Sequence, residues 1–415
     1  MKYIYIPVFR ASPIYATFAE STQNPGIGGT QFVGIHLALR LARLRPDYVV
    51  CVVTLDSELR LQLETSNLEQ IKVQSIDELL EKSVLKNRDS VLIAPRAVMR
   101  KATASLLAAA ADRTIAWSHH PFDLNWPLGS VDFAAHVCVG SYQYYSNEGF
   151  CTPIWAIPNL FIRPPDPRKS PATLPKTKDS SLHIVHLGAL VPAKGFLDIA
   201  KNWQFIRDVH PNVKMSVIGS AATYSGGGVE HDLVPAGRHF AQKIIEYIGI
   251  EDIENRQVVF LGNMGVEKFD VIKQAHVAVL NPTGHSEAFP ASPLECMATG
   301  VPVIASDDYG MSDSMRYFPE LSVKDPSEIA DKLRYLIADE DRYRELQERA
   351  LLVGQVFERH NAHTMQRWIR LIESVADSGR SVESQVPPIA GFYGSRSTLL
   401  YRKFRLKLRR QLKGS

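Results

Sequence analysis

The sequence predicts an α/β protein made of two doubly wound, Rossmann-like domains in tandem, with room for a cleft between them. Three observations predict it. Short apolar or β-branched runs alternate with longer amphipathic stretches, a proline-rich segment at 163–181 breaks that rhythm, and the rhythm restarts beyond it. The chain has 415 residues, 45% of them hydrophobic and 22% charged, enough for two cores.

In the first half, the runs at 3–8, 48–55, 90–95, 114–117 and 134–141 read as strands buried on both faces of a parallel sheet. Between them, 32–44 and 98–112 have the period of helices. The next segment, RPPDPRKSPATLPKTKDSS, carries five prolines and almost no large apolar side chains, so it reads as the linker. This gives a first domain at 1–162, a linker at 163–181, a second domain at 182–376 and a C-terminal segment at 377–415. In the second domain the strand runs are 181–188, 213–220, 257–262, 276–282 and 301–306, with a helix predicted over 195–210.

Net charge is only +3, which excludes a whole-protein basic field and speaks against nucleic acid as partner. The four cysteines, Cys51, Cys138, Cys151 and Cys296, lack C-x-x-C spacing and suit a reducing compartment rather than a disulfide framework or a zinc site. No stretch approaches the length of a spanning helix, so the expectation is a cytoplasmic protein.

Ligands of doubly wound sheets bind beyond the carboxyl ends of the strands, so the loops there carry the candidates. In HSEAFPASPLECMATGVPVIAS, 285–306, Ser292, Pro293 and Glu295 fit an S-x-x-E capping box, which accounts for Glu295 by helix grammar alone. Glu287 has no such account. It sits in the loop after a strand and just before a helix start that favours anions, where the amides of Ala288, Phe289, Ala291 and Ser292 are free to bind hydroxyls or phosphate. QNPGIGGTQF supplies Gly26, Gly28 and Gly29 ahead of Thr30, a candidate helix cap; a plain flexible loop is the other reading. HLGALVPAKGF places Gly188 at a strand end and Lys194 before a helix, a point charge suited to a diphosphate. TIAWSHHPFD leaves His119 and His120 at the end of another strand, where histidine hydrogen-bonds a sugar or acts near neutral pH.

The block 261–306 resembles the donor-binding half of a family 4 glycosyltransferase of the GT-B fold, whose signature is two glutamates in the spacing of Glu287 and Glu295. HLGALVPAKGF is similar to that family's phosphate-binding loop, GIGGTQF to its N-terminal glycine loop, and 137–161 to the segment leading to the hinge. The resemblance covers roughly 20–370. It implies that Glu287 binds hydroxyls of the donor sugar with the loop amides assisting, that Glu295 holds the ribose with Leu294 nearby, and that Lys194 neutralises the diphosphate. It also implies that Gly188, Gly28 and Gly29 approach the diphosphate and that His119 lies near the donor sugar. Such enzymes retain anomeric configuration and need no metal or other cofactor. In this sequence Asp339, Glu340 and Asp341 read as the acidic first turn of a surface helix, not as a metal motif. The chain departs from the family at Ala189, where an arginine is usual, and at Leu160 and Ala288, where glycine is usual.

The last residues, 391–415, hold eight Lys or Arg and no acid. As a helix they align Leu400, Phe404, Leu408 and Leu412 into a basic amphipathic face suited to an anionic membrane surface; a solvated tail is the alternative. The leading expectation is a hexosyltransferase that takes a nucleotide-sugar donor to a glycan or lipid-linked acceptor in polysaccharide or glycolipid synthesis. The alternatives are a nucleotide-sugar isomerase (epimerase) on the same fold and a noncatalytic nucleotide-sugar-binding protein.

Overall fold

The computed structural model describes residues 2–9, 17–55, 60–62, 66–122, 131–147, 153–164, 173–175, 180–225 and 229–378. The expectations for Cys151, for the basic tail 391–415 and for most of the proline-rich segment lie outside the described residues. The chain forms two compact units: Met1–Thr22, Gly29–Leu160 and His360–Ser415 make the first, and Gln23–Gly28 with Phe161–Arg359 make the second.

The first unit is built on a seven-stranded parallel sheet. Its strands are β1 (Lys2–Pro7), β2 (Tyr48–Thr54), β3 (Leu68–Lys72), β4 (Ser90–Pro95), β5 (Thr114–Ser118), β6 (Ala135–Cys138) and β7 (Ile154–Ala156). The spatial order is β3-β2-β1-β4-β5-β6-β7. Every residue of β2, β4, β5, β6 and β7 is buried, as continuous apolar runs require when helices cover both faces. The edge strand β3, LEQIK, is mostly exposed, and its charged residues hid it from the apolar pattern.

The second unit holds six parallel strands: β8 (Leu182–Leu187), β9 (Val213–Ile218), β10 (Val258–Gly262), β11 (Val277–Val279), β12 (Val303–Ser306) and β13 (Ser322–Val323). Their order, β10-β9-β8-β11-β12-β13, reverses between β8 and β11. Chains leaving neighbouring strands on either side of such a reversal turn to opposite faces, and a crevice opens between the loops that follow them.

Three predicted helices differ in detail. The stretch 98–112 is three pieces, Arg96–Met99, Ala104–Ala109 and the 3₁₀ turn Ala111–Arg113. Its first break falls where the Asp77 carboxylate takes the amide and hydroxyl of Thr103, at 2.7 and 2.6 Å. The stretch 195–210 divides at Asn202 into Phe196–Lys201 and Trp203–Arg207, and the Asn202 side chain bonds the Asp198 carbonyl at 2.8 Å, so side chain competes with helix. The helix Gly29–Leu44 starts at Gly29, so Thr30 lies inside it rather than capping it.

The boundary predicted at 376 lies within one long helix, Glu340–Ser378. Asp339 caps it by accepting the amides of Asp341 and Arg342 at 3.0 and 3.1 Å, the role expected of that acidic run. Residues up to Arg359 belong to the second unit, and those from His360 on belong to the first. In the first unit Trp368 packs edge-to-face with Trp117, ring centroids 5.1 Å apart, Arg367 lies over Trp155, and Glu373 and Asp377 pair with Arg45 and Lys2. In the second, a side chain on Gly354 would come within 2.6 Å of the Ala298 Cα, so the glycine lets two helices touch backbone to backbone.

Candidate functional site

The two loops at the reversal of the second sheet are 188–195, after β8, and 280–291, after β11. In the first, the 3₁₀ turn Pro192–Lys194 ends at Gly195, which has φ +76°. A Cβ there would run into Asn281 Oδ1 and lie 3.0 Å from Pro282 Cδ, so only glycine lets this loop seat against the second one. The contact sets Lys194 opposite Glu287: Lys194 Nζ lies 3.0 Å from Glu287 Oε2, with the two side chains 14% and 12% exposed.

The loop around Glu287 is built tightly. Asn281, buried at the end of β11, donates through Nδ2 to the His285 carbonyl at 3.0 Å and to Glu287 Oε1 at 3.3 Å. Its Oδ1 accepts the amide and hydroxyl of Thr283, at 3.2 and 2.9 Å. Gly284 and Ser286 both take positive φ, +64° and +66°, and a serine there is strained. The Glu287 carbonyl accepts the Gly310 amide at 2.9 Å. Glu287 is thus gripped through one carboxylate oxygen by Asn281 and through the other by Lys194.

Glu295 sits differently from its predicted role. The helix Ser292–Ala298 begins one residue early, with Ala291 in the cap position and no side-chain cap bond, so no capping box forms. The Glu295 amide bonds the Ala291 carbonyl at 2.9 Å. Its carboxylate is instead held by Lys268, Nζ to Oε1 at 2.7 Å, with side chains 8% and 13% exposed. Helix grammar therefore does not account for Glu295. Pairs this dry add little net stability, because desolvation offsets their attraction.

Lys268 escaped sequence reasoning; it opens the helix Lys268–Gln274, and nothing in its local pattern separates it from a surface lysine. His186 was also passed over. It spans the reversal from β8, donating from Nδ1 to the Val279 carbonyl of β11 at 2.8 Å. Burial pushes its pKa down to about 4 against the opposing effect of that hydrogen bond, so the ring is a neutral strut. Gly188 lies just beyond it, at the end of β8, where a Cβ would stand 3.0 Å from His186 Nε2. Gly219, with φ +136°, brings the end of β9 against the Gly188 carbonyl. Ala189, in the place of the family's arginine, is buried.

Of the other predicted residues, Ala288 and Leu294 are buried at 4% and 1%, so Leu294 serves the core beneath the loop. Phe289 packs on Phe357 with ring centroids 6.0 Å apart. Ala291 is exposed and Ser292 half-buried at the helix start. Gly28 and Gly29 fall in different units; of the loop's glycines Gly26 takes positive φ, and a Cβ on Gly29 would meet open space. Asn24 shapes that loop by accepting the amides of Gly26 and Ile27 at 3.0 and 2.8 Å, and Gly26 lies against the Met264 carbonyl in the second unit. His119 follows β5 in the first unit and packs on Trp117, centroids 4.3 Å apart. Burial lowers its pKa to about 3, so it stays neutral at pH 7 and does not titrate there as the sequence suggested. Among the described residues no group of three or more His, Cys, Asp and Glu side chains is arranged to hold a metal ion. No helix among them is long and apolar enough to cross a membrane.

Two parallel doubly wound sheets in one chain, the second with a charged pair at its point of reversal, have the architecture of a GT-B fold. Residues 173–352, less than half of the chain, match the family model for glycosyl transferases, group 1, and that segment contains Lys194, Lys268, Glu287 and Glu295. No curated protein matches the chain in sequence. Among solved structures, the chain resembles the sucrose-phosphate synthase of Thermosynechococcus elongatus, with a TM-score of 0.60, 15% identity, and coverage of 91% of this chain and 100% of that one. It resembles Anabaena HepE in complex with UDP and glucose, with a TM-score of 0.58, 14% identity and coverage of 88% and 100%. For a mutant of S. aureus TarM in complex with Fondaparinux, alpha-GlcNAc-glycerol and UDP, the TM-score is 0.53 at 17% identity, over 71% of this chain and 58% of that one. At these identities the likeness is one of fold.

Proposed function

We propose that the chain is a glycosyltransferase of the family 4 type, moving a hexose from a nucleotide sugar to a glycan or lipid-linked acceptor with retention of configuration and without a metal. The observation that carries this reading is the Lys194–Glu287 pair at the reversal of the second sheet. It puts a cation for a departing diphosphate beside a carboxylate for sugar hydroxyls. The match of 173–352 to a glycosyltransferase model supports it, as do the UDP and glucose bound by HepE.

The difficult event is departure of a nucleoside diphosphate, whose growing negative charge needs a preorganised partner. Lys194 supplies that charge and leaves Glu287 for the donor when the diphosphate arrives. Asn281 keeps the freed carboxylate in place for the sugar, with the amides of Ala288, Phe289, Ala291 and Ser292 as further donors. Glu295 takes the ribose hydroxyls. Gly188, Gly28 and Gly29 allow close approach to the diphosphate, and His119 serves as a neutral hydrogen-bonding group near the sugar. The tail 391–415 holds the protein on the anionic inner face of a membrane, where a lipid-linked acceptor is at hand.

Incubating the protein with a panel of nucleotide sugars and membrane lipid extract tests the reading. Release of nucleoside diphosphate that depends on the extract supports transfer. An altered sugar nucleotide without release makes the protein an isomerase, and binding with neither outcome makes it noncatalytic. Deleting 391–415 should release the protein from anionic vesicles, and unaltered binding would reject the anchor.

A further inference from the structure

We infer that Lys268 is a positioning residue: it fixes Glu295 so that the site discriminates a ribonucleoside diphosphate from its 2′-deoxy counterpart. The inference rests on the assignment of Glu295 to the ribose. Lys268 is 7% exposed, an uncommon place for an ammonium group. A leucine would fill that space without the cost of desolvation, so packing does not account for the lysine.

The geometry does. Glu295 Oε1 is taken by Lys268, while among the described residues Oε2 has no hydrogen-bond partner. One oxygen is anchored and the other is presented. The anchor is itself fixed: the neighbouring Glu267 carboxylate accepts the Gly265 amide at 2.6 Å, and that loop packs on the 23–28 segment through Pro25 and Gly26. Cys296, beside Glu295, is fully buried with its thiol pK pushed up by burial, so it stays neutral and does not compete for the lysine. A carboxylate held in one orientation accepts a diol hydroxyl without first losing rotamer freedom, and it penalises a ligand that lacks the hydroxyl.

The test is calorimetric titration with uridine and adenosine diphosphates, each against its 2′-deoxy form. The parent should prefer the ribo form, and Lys268→Met should lower that preference by about tenfold. Lys268→Arg should restore most of it. Lys194→Gln should weaken both forms alike and leave the ratio unchanged. A folded Lys268→Met variant with the parent's ratio would overturn the inference; should that variant not fold by circular dichroism, Lys268→Gln decides by the same ratio. A parent with no ribo preference instead overturns the ribose assignment of Glu295, and the inference falls with it.

Discussion

Lys194 and Glu287 come from loops that follow adjacent strands of the second sheet, and they meet at 3.0 Å with both side chains largely withdrawn from water. Glu287 neutralises the lysine it pairs with, and a diphosphate must compete for it. Lys194→Gln is expected to lower kcat for nucleoside diphosphate release about a hundredfold, the scale for losing one preorganised charge partner. Initial rates across donor concentrations check it. A loss confined to KM would show that Lys194 only binds the ground state.

Asn281 holds both the Glu287 carboxylate and the turn that carries it. Asn281→Leu keeps the size but removes those bonds, so kcat should fall about tenfold and stability by about 1–3 kcal/mol from the polar groups left unpaired. Urea midpoints together with rates separate the two effects. Full activity in a destabilised variant would confine Asn281 to the fold.

Gly354 lets the long helix lie directly on Ala298, three residues from Glu295. Gly354→Val should cost about 1–3 kcal/mol by forcing the helices apart, and it should raise the donor KM through displacement of Glu295. Thermal unfolding and donor titration read both. An unchanged melting temperature would mean the crossing adapts freely.

Four histidines, His36, His119, His136 and His186, are held by burial at pKa values of about 4, 3, 4 and 4. The unfolded chain protonates near 6.5, so between those values and 6.5 the unfolded state binds more protons. Stability from these groups is complete above pH 6.5 and is lost as pH falls toward 4, each contributing up to roughly 1.4 kcal/mol per pH unit. Urea midpoints at pH 7.5, 6 and 5 should decline in step. A flat profile would show that the rings protonate in place.

The two sheets were legible because their central strands are continuous apolar runs, such as YVVCVVT and SVLIAP, that only burial on both faces explains. The edge strand LEQIK was not, since an exposed edge takes charged residues like any loop. Glu287 stood out because no local rule used it. Glu295 was assigned to a cap because Ser292 and Pro293 satisfy that pattern, but its real partner, Lys268, comes from another helix. Local grammar carries no information on such a pairing, and the same holds for His186, whose carbonyl partner lies on a strand adjacent in space only.

The long helix also bears on how the chain is made. Trp117 emerges from the ribosome with the first sheet, but Trp368, which packs edge-to-face with it, emerges only after the whole second sheet has been synthesised. Trp117 therefore lacks this aromatic partner until residue 368 has been made. The second unit, by contrast, has its borrowed residues 23–28 in hand from the start. Vectorial synthesis thus favours closure of the later unit before the earlier one gains its last helical segment.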